Sequence, residues 1–406
     1  MTGLEEARET ILSSVSPLGA EVVAVPDVVG RVLASDQFSP WDLPMWDNSA
    51  MDGYAVRAAD CQERSVLPVR GFLPAGKPAV DALEPGQADR ILTGAPLPAG
   101  ADAVVPFELT EAVPDGVRLL VRPAVGDHVR KRGGDLRAGQ AVLTEGRVLG
   151  PAEVAVLAAT GRSTVPVVRR PRVAVLSTGD ELLVPGEPLR DGRIHDSNGP
   201  ALAAAALRTG VVPTVLPIAR DHPDDLRRSL ETGLRADVLV TSAGVSAGDR
   251  DLVREVLGDL GAKEAFWQVD IQPGRPMAFA TNDTCRVFAL PGNPVAALLT
   301  FEVFVRPALR RMLGHRRPVE PLLRARLEED VRPRANRVTL RRVRLERTAD
   351  GLVATSAGRQ ATGFVTTLAR ADGIAFIPRG EDVLTAGTRV DVQPLRAEAD
   401  FTGEMA

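Results

Sequence analysis

The chain has 406 residues, 44% hydrophobic and 25% charged, a balance that fits folded domains and excludes a largely disordered protein. A net charge of −4 gives no reason to expect a nucleic-acid partner, and two cysteines, Cys61 and Cys285, are too few for a disulfide framework or a cysteine metal clamp. No stretch approaches the roughly 20 apolar residues of a membrane span, so a cytoplasmic protein of two to four domains is expected.

Apolar spacing at Leu4, Ala7, Ile11, Leu12 and Val15 predicts an opening helix, with Pro17 and Gly19 ending it and a short strand at residues 21–25. The acidic start reads as part of that helix rather than as an export signal. From about residue 36 to 146 short strand-like pieces, such as 90–92 and 116–121, alternate with Pro, Gly and Asp clusters, which argues for a small β-rich domain. A helix of Ala, Val and Leu opens at Gly150-Pro151 and closes at Gly161.

Beyond it the pattern becomes α/β. Strands are expected at 172–178, 211–218, 237–241 and 286–290, and helices at 198–207, 223–232, 251–260 and 294–313. Such alternation needs crossover connections, so the economical solution is a parallel sheet covered on both faces. After Arg317-Pro318 the period returns to two. Strands at 338–346 and 352–354 flank Thr348-Ala349-Asp350-Gly351, whose Asp-Gly pair favours a hairpin turn, and further strands are expected at 373–377 and 389–392. The tail is an all-β module.

Open parallel sheets bind ligands at the carboxyl ends of their strands, so the strand-to-loop junctions carry the candidate chemistry. Ser242-Ala243-Gly244-Val245-Ser246-Ala247-Gly248-Asp249 leads into a helix. Small residues there allow backbone N–H groups to approach an anion, and Asp249 suits a divalent cation; a glycine turn capped by aspartate explains the same pattern, and spacing alone leaves both open. Ser177-Thr178-Gly179-Asp180-Glu181-Leu182 carries a carboxylate pair on a turn, Gln272-Pro273-Gly274-Arg275-Pro276 presents a guanidinium suited to oxyanions, and Leu290-Pro291-Gly292-Asn293-Pro294 is a stiffened connector. Each has a plain reading as a turn, a solvated arginine or a helix start. In the β-rich section, residues 44–55, 93–98 and 129–135 are similarly polar and bent.

Taken in order, these loops resemble the molybdopterin molybdenumtransferase family, which includes the E domain of gephyrin. The resemblance rests on DNSAMDGYA (47–55), TGAPLPAGADAVV (93–105), STGDEL (177–182), DSNGP (196–200), SAGVSAGDRD (242–251) and LPGNPVA (290–296), and covers nearly the whole chain. It implies a multidomain α/β plus β fold: a molybdopterin-binding three-layer α/β domain with a parallel-rich sheet at 171–318, a β-rich domain at 40–145 and a β-barrel at 319–396. Residues 1–39 and 146–170 would form a connecting region with the first helix near the α/β domain, and 397–406 a tail. It further implies an elongated homodimer whose active site lies between the α/β domain of one subunit and the β-rich domain of the other.

The implied reaction inserts molybdate into adenylylated molybdopterin with release of AMP, assisted by Mg²⁺. Position by position, the resemblance makes Asp221 and Asp249 the Mg²⁺ ligands. Gly244, Ser246, Gly248, Pro291, Gly292 and Asn293 would cradle the pterin phosphate. Asp52, Thr93, Asp135 and Glu181 match positions tied to activity, and Gln272, Arg275, Arg342 and Thr362 would contact molybdate. The upstream molybdopterin adenylyltransferase and downstream molybdoenzymes are implied partners. Family members often carry lysines where this chain has Gln268 and Gln272; glutamine donates hydrogen bonds but supplies no charge. A non-catalytic scaffolding homologue and a tungstate-specific variant are the alternatives.

Overall fold

The computed structural model describes residues 2–77, 81–243, 252–397 and 401. The opening helix Leu4–Ser13 buries Leu4, Ala7 and Ile11 in the core of the α/β domain, as their spacing on one helix face requires. The strand Ala20–Ala24 pairs antiparallel with Thr164–Val168, and beside them the helix Pro151–Ala159 closes a small core with Val25, Leu33, Leu149 and Leu157.

In the β-rich domain a four-stranded sheet runs in the order Val69–Leu73, Ala88–Ile91, Gly53–Val56, Ala103–Pro106. Gly53 sits where the chains crowd: a Cβ there would lie 2.1 Å from the carbonyl oxygen of Val105, so only glycine fits. A three-stranded sheet of Val66–Leu67, Gly116–Leu119 and Thr110–Val113 lies alongside in the sequence.

The α/β domain is built on a six-stranded sheet in the order Pro213–Val215, Val173–Ser177, Val238–Ser242, Arg286–Leu290, Ala278–Thr281, Lys263–Phe266. Alternation divides its residues between two cores. Val173, Val175, Val240, Phe288 and Leu290 face the helix Asn198–Arg208 and the long C-terminal helical run, whereas Ala174, Leu176, Leu239 and Val287 face the helices Pro223–Gly233 and Leu252–Asp259. Burial on both sides is why these strands read as continuous apolar runs. The first four strands are parallel, as expected, but Ala278–Thr281 and Lys263–Phe266 add an antiparallel edge that the alternation of strands and helices did not reveal. The long helix is also interrupted: Pro294–Thr300 and Arg306–Met312 are joined by a buried π segment, Phe301–Val305, in which Glu302 is paired with Arg208 and Arg306.

The C-terminal strands close on themselves. Val338–Thr348 pairs with Gly351–Ser356, which pairs with Leu323–Leu327, then Arg389–Pro394, then Gly373–Ile377, and back to Val338–Thr348. Closure removes the free edges of this five-stranded barrel. Its hairpin has Thr348 opposite Gly351, so Ala349 and Asp350 form the tip and Gly351, at φ +113°, follows it. A two-residue strand of the α/β domain, Ile271–Gln272, adds in parallel to Val338 and Thr339. Among the described residues no helix is long and apolar enough to cross a membrane.

Candidate functional site

The register of the α/β sheet aligns Ser177, Ser242 and Leu290 in one row across three adjacent parallel strands. The loops that follow therefore leave the sheet at one level. Asn198, in the first turn of its helix, ties two of them together: its Nδ2 donates to Ser242 Oγ at 2.6 Å and to the Gly292 carbonyl at 2.7 Å. Asp196 fixes that helix start, its Oδ1 accepting from the backbone of Asn198 and Gly199 at 2.9 and 3.0 Å. Three buried polar atoms at this end, Ser177 Oγ, Thr241 Oγ1 and Asn293 Oδ1, have no hydrogen-bond partner among the described residues. Leaving such a group unmet costs about 1–3 kcal/mol, so the row is a set of groups suited to a polar ligand.

Backbone geometry keeps the loops close. A Cβ on Gly292 would lie 3.0 Å from that of Ala243, and Ala243 itself has φ +77°. Ala243 thus carries a Cβ in a left-handed conformation, which costs roughly 1–2 kcal/mol. Gly179 has φ +148°, and a Cβ there would meet Glu181 Oε2 at 2.6 Å, so the exposed Glu181 carboxylate folds over it. Arg220 Nη1 donates to the carbonyls of Gly179, Asp180 and Leu182 at 3.0–3.3 Å and locks this turn to the loop holding Asp221. The Asp221 N–H reaches Asp180 Oδ1 at 3.4 Å.

Asp180 and Asp221 thus offer hard oxygen donors on facing loops. Among the described residues no group of three or more acidic, His or Cys side chains assembles a metal cage. Mg²⁺ commonly takes one or two carboxylates together with substrate phosphates, and this donor set fits that mode. Gly244, Ser246, Gly248 and Asp249 lie outside the described residues.

The second cluster belongs to the β-rich domain. Asp52 Oδ1 accepts both the backbone N–H and the hydroxyl of Thr93, each at 2.7 Å, and these two bonds hold its carboxyl below the usual range. The Thr93 loop is pinned to its neighbour by Gly94 N–H to the Ser49 carbonyl at 2.8 Å and Ser49 N–H to the Ala95 carbonyl at 3.0 Å. Asn48–Ser49 in turn pairs with Val129–Arg130. Asp47 accepts from Lys131 Nζ at 2.9 Å and Arg132 N–H at 2.8 Å, and Asp135 N–H donates to the Leu43 carbonyl at 3.0 Å. The fold therefore gathers the loops of Asp52, Thr93 and Asp135 at one end of this domain, all three residues exposed.

Glu181, Asp221, Pro291, Gly292 and Asn293 are gathered at the α/β end. Among the described residues no hydrogen bond or ion pair joins the two clusters within the chain. Gln272 is half-buried beside the barrel, and Arg275, three residues on, is exposed. Arg342 is 0% exposed; its Nη2 donates to the carbonyls of Arg359 and Ala361 at 2.9 and 3.3 Å, and burial lowers its pKa. It fixes the loop that leads to the half-buried Thr362 rather than presenting a free guanidinium at the surface. Ser177 and Asn198 lie in the STGDEL and DSNGP motifs, which by themselves give neither residue a role; Arg220 leaves no signal in the sequence.

Family models match the chain in three consecutive pieces: the MoeA N-terminal region (domain I and II) over residues 2–161, a probable molybdopterin binding domain over 174–311, and the MoeA C-terminal region (domain IV) over 324–395. The chain is 36% identical to molybdopterin molybdenumtransferase 2 of Mycobacterium tuberculosis, across 97% of this chain and 100% of that one. It is 38% identical to the molybdopterin molybdenumtransferase of a Nostoc species, across 92% and 88%. Its fold superposes on the crystal structure of a molybdopterin biosynthesis MoeA protein from Pyrococcus horikosii with a TM-score of 0.86 and 35% identity, covering 98% and 100% of the two chains. The chain belongs to the molybdopterin molybdenumtransferase family.

Proposed function

We propose that this transferase of molybdenum cofactor biosynthesis inserts molybdate into adenylylated molybdopterin with release of AMP. We further propose that each active site joins the α/β cluster of one subunit to the β-rich cluster of a second. The observation that carries the reading is the row of Ser177, Ser242 and Leu290, with the buried Ser177 Oγ and Asn293 Oδ1 beside it, which have no hydrogen-bond partner among the described residues. A hydroxyl that donates and an amide oxygen that accepts suit the mixed donors and acceptors of a pterin. The small residues of the adjoining loops let its phosphate approach backbone N–H groups near helix starts.

Asp52 is kept ionised by Thr93 and orients or accepts a proton at the reacting phosphate or oxyanion. Glu181, poised over Gly179, is a second carboxylate for the same work. Asp221, with Asp180 and Asp249, would hold Mg²⁺, which when bound offsets phosphate charge and acts as a Lewis acid. Gln272 and Arg275 face the oxyanion, with Arg342 and Thr362 supporting from the barrel. The same reading sets the enzyme in the cytoplasm, between the adenylyltransferase that supplies its substrate and the molybdoenzymes that take its product.

Mixing two inactive variants tests the shared site. Asp52→Asn and Asp221→Asn disable different clusters. If sites form across two subunits, random mixed dimers hold one intact site each, and the mixture regains about a quarter of wild-type AMP release. No recovery after verified subunit exchange would refute the shared site.

A further inference from the structure

In the four-stranded sheet of the β-rich domain, the strand Ala88–Ile91 is buried at Ala88, Asp89 and Ile91 and exposed at Arg90 alone. Arg90 lies directly opposite Tyr54 and beside Phe72. Asp52 stands in the bend just before the Tyr54 strand, close enough for the charge of Arg90 to act on its carboxylate. The guanidinium of Arg90 lies over two rings, 5.4 Å from the centroid of Phe72 and 5.3 Å from that of Phe107. Phe107 also donates its backbone N–H to the Asp52 carbonyl at 3.1 Å and receives Tyr54 edge-on at 5.5 Å. One aromatic residue therefore orients Arg90 and fixes the backbone of Asp52.

The same sheet shows how an arginine looks when its charge is spent on structure. Arg70 is bound to the buried carboxylate of Asp89 and to the Ala82 carbonyl. The Arg90 side chain has no hydrogen bond or ion pair among the described residues, only its two ring contacts. Stacked on aromatic faces, a guanidinium keeps its N–H edge free for a planar, two-pronged contact. After the two bonds from Thr93, the charge of Arg90 also helps keep Asp52 ionised. Asp52 alone would repel an incoming anion; Asp52 with Arg90 is a neutral pair that an anion can approach.

Resting on the reaction proposed above, we propose that Arg90 is an oxyanion anchor of that site, taking a tetrahedral oxyanion beside Asp52 and Thr93. The phosphate of the adenylylated pterin and molybdate share this chemistry. Both stand within reach of the same test.

AMP release by the full-length Arg90→Met and Arg90→Lys variants is measured with the adenylylated pterin varied at saturating molybdate, and the reverse. Methionine keeps an apolar stem between the two rings, and lysine keeps the charge without the fork. Loss of a charge-assisted contact predicts that Arg90→Met raises KM about tenfold in one arm with kcat nearly unchanged, and that Arg90→Lys restores part of it. The arm that moves names the anion. Unchanged KM in both arms, or a fall in kcat alone, overturns the anchor. Calorimetry with AMP and with molybdate keeps the test separate from the reaction: if the wild-type protein binds either anion, Arg90→Met must weaken that binding about tenfold. Equal affinity, or no binding of either anion by the wild-type protein, overturns the anchor even if AMP release itself fails for another reason.

Discussion

The two carboxylate clusters are held in place by opposite means. At the α/β end, the positions of Ser177, Ser242 and Asn293 follow from buried strands whose register is set by apolar alternation. At the β-rich end, Asp52, Asp47 and Asp135 stand on exposed loops tied together by hydrogen bonds between residues 41 to 92 apart in sequence. A cluster hung on a core fails when the core loosens. One hung on polar bonds fails at a single side chain while the fold survives.

Phe288→Ala should break the first cluster through its support. Phe288 is fully buried and packs against Phe279 at 4.9 Å, so truncation should cost about 3–5 kcal/mol, read as a lower midpoint in denaturant. A loss below 1 kcal/mol would mean the strands do not carry that cluster. Ala243→Gly sharpens the point from the other side. It relieves the strain of the φ of +77°, worth roughly 1–2 kcal/mol, against about 0.4–1 kcal/mol for the greater freedom of glycine in the unfolded chain, so stability should rise by about 1 kcal/mol; a decrease would count against strain at that position.

Thr93→Val probes the second cluster and should move global stability least. It removes the hydroxyl bond to Asp52 and keeps the backbone one, so the Asp52 pKa should rise toward its ordinary value. A depressed carboxyl supports the fold above its unfolded-state pKa and loses that support as pH falls through its folded-state pKa. The variant should therefore lose it at higher pH than the wild type. Carboxyl NMR titration follows this directly, and an unmoved Asp52 would separate the threonine hydroxyl from the acid.

The same contrast explains what the sequence made legible. Strands buried on both faces announce themselves, and Val173–Ser177, Val238–Ser242 and Arg286–Leu290 lie where their apolar runs indicate. The antiparallel edge escaped because Lys263–Phe266 buries only its last residue and shows no alternation. Leu323–Leu327 does alternate, but the Arg- and Pro-rich connector before it hides where the strand starts. The π segment left no trace in composition. Of the candidate site, single loops were visible as polar turns, whereas the Asp52–Thr93 contact spans 41 residues and no local period reports it. Arg342 was identifiable as a cation; its enclosure by the carbonyls of Arg359 and Ala361 was not.

One junction has a mechanical consequence. Ile271–Gln272 belongs to the α/β domain yet is laced edge to edge onto Val338 and Thr339 of the closed barrel, with the Val338 N–H on the Asp270 carbonyl at 3.1 Å. Any tilt of the C-terminal module is thus passed, without an intervening hinge, to the peptide that presents Gln272 and Arg275. On the proposed reading, in which Gln272 and Arg275 face the oxyanion, the terminal barrel would be a rudder for that stretch of the pocket, set by whatever grips its outer wall rather than by the reacting groups.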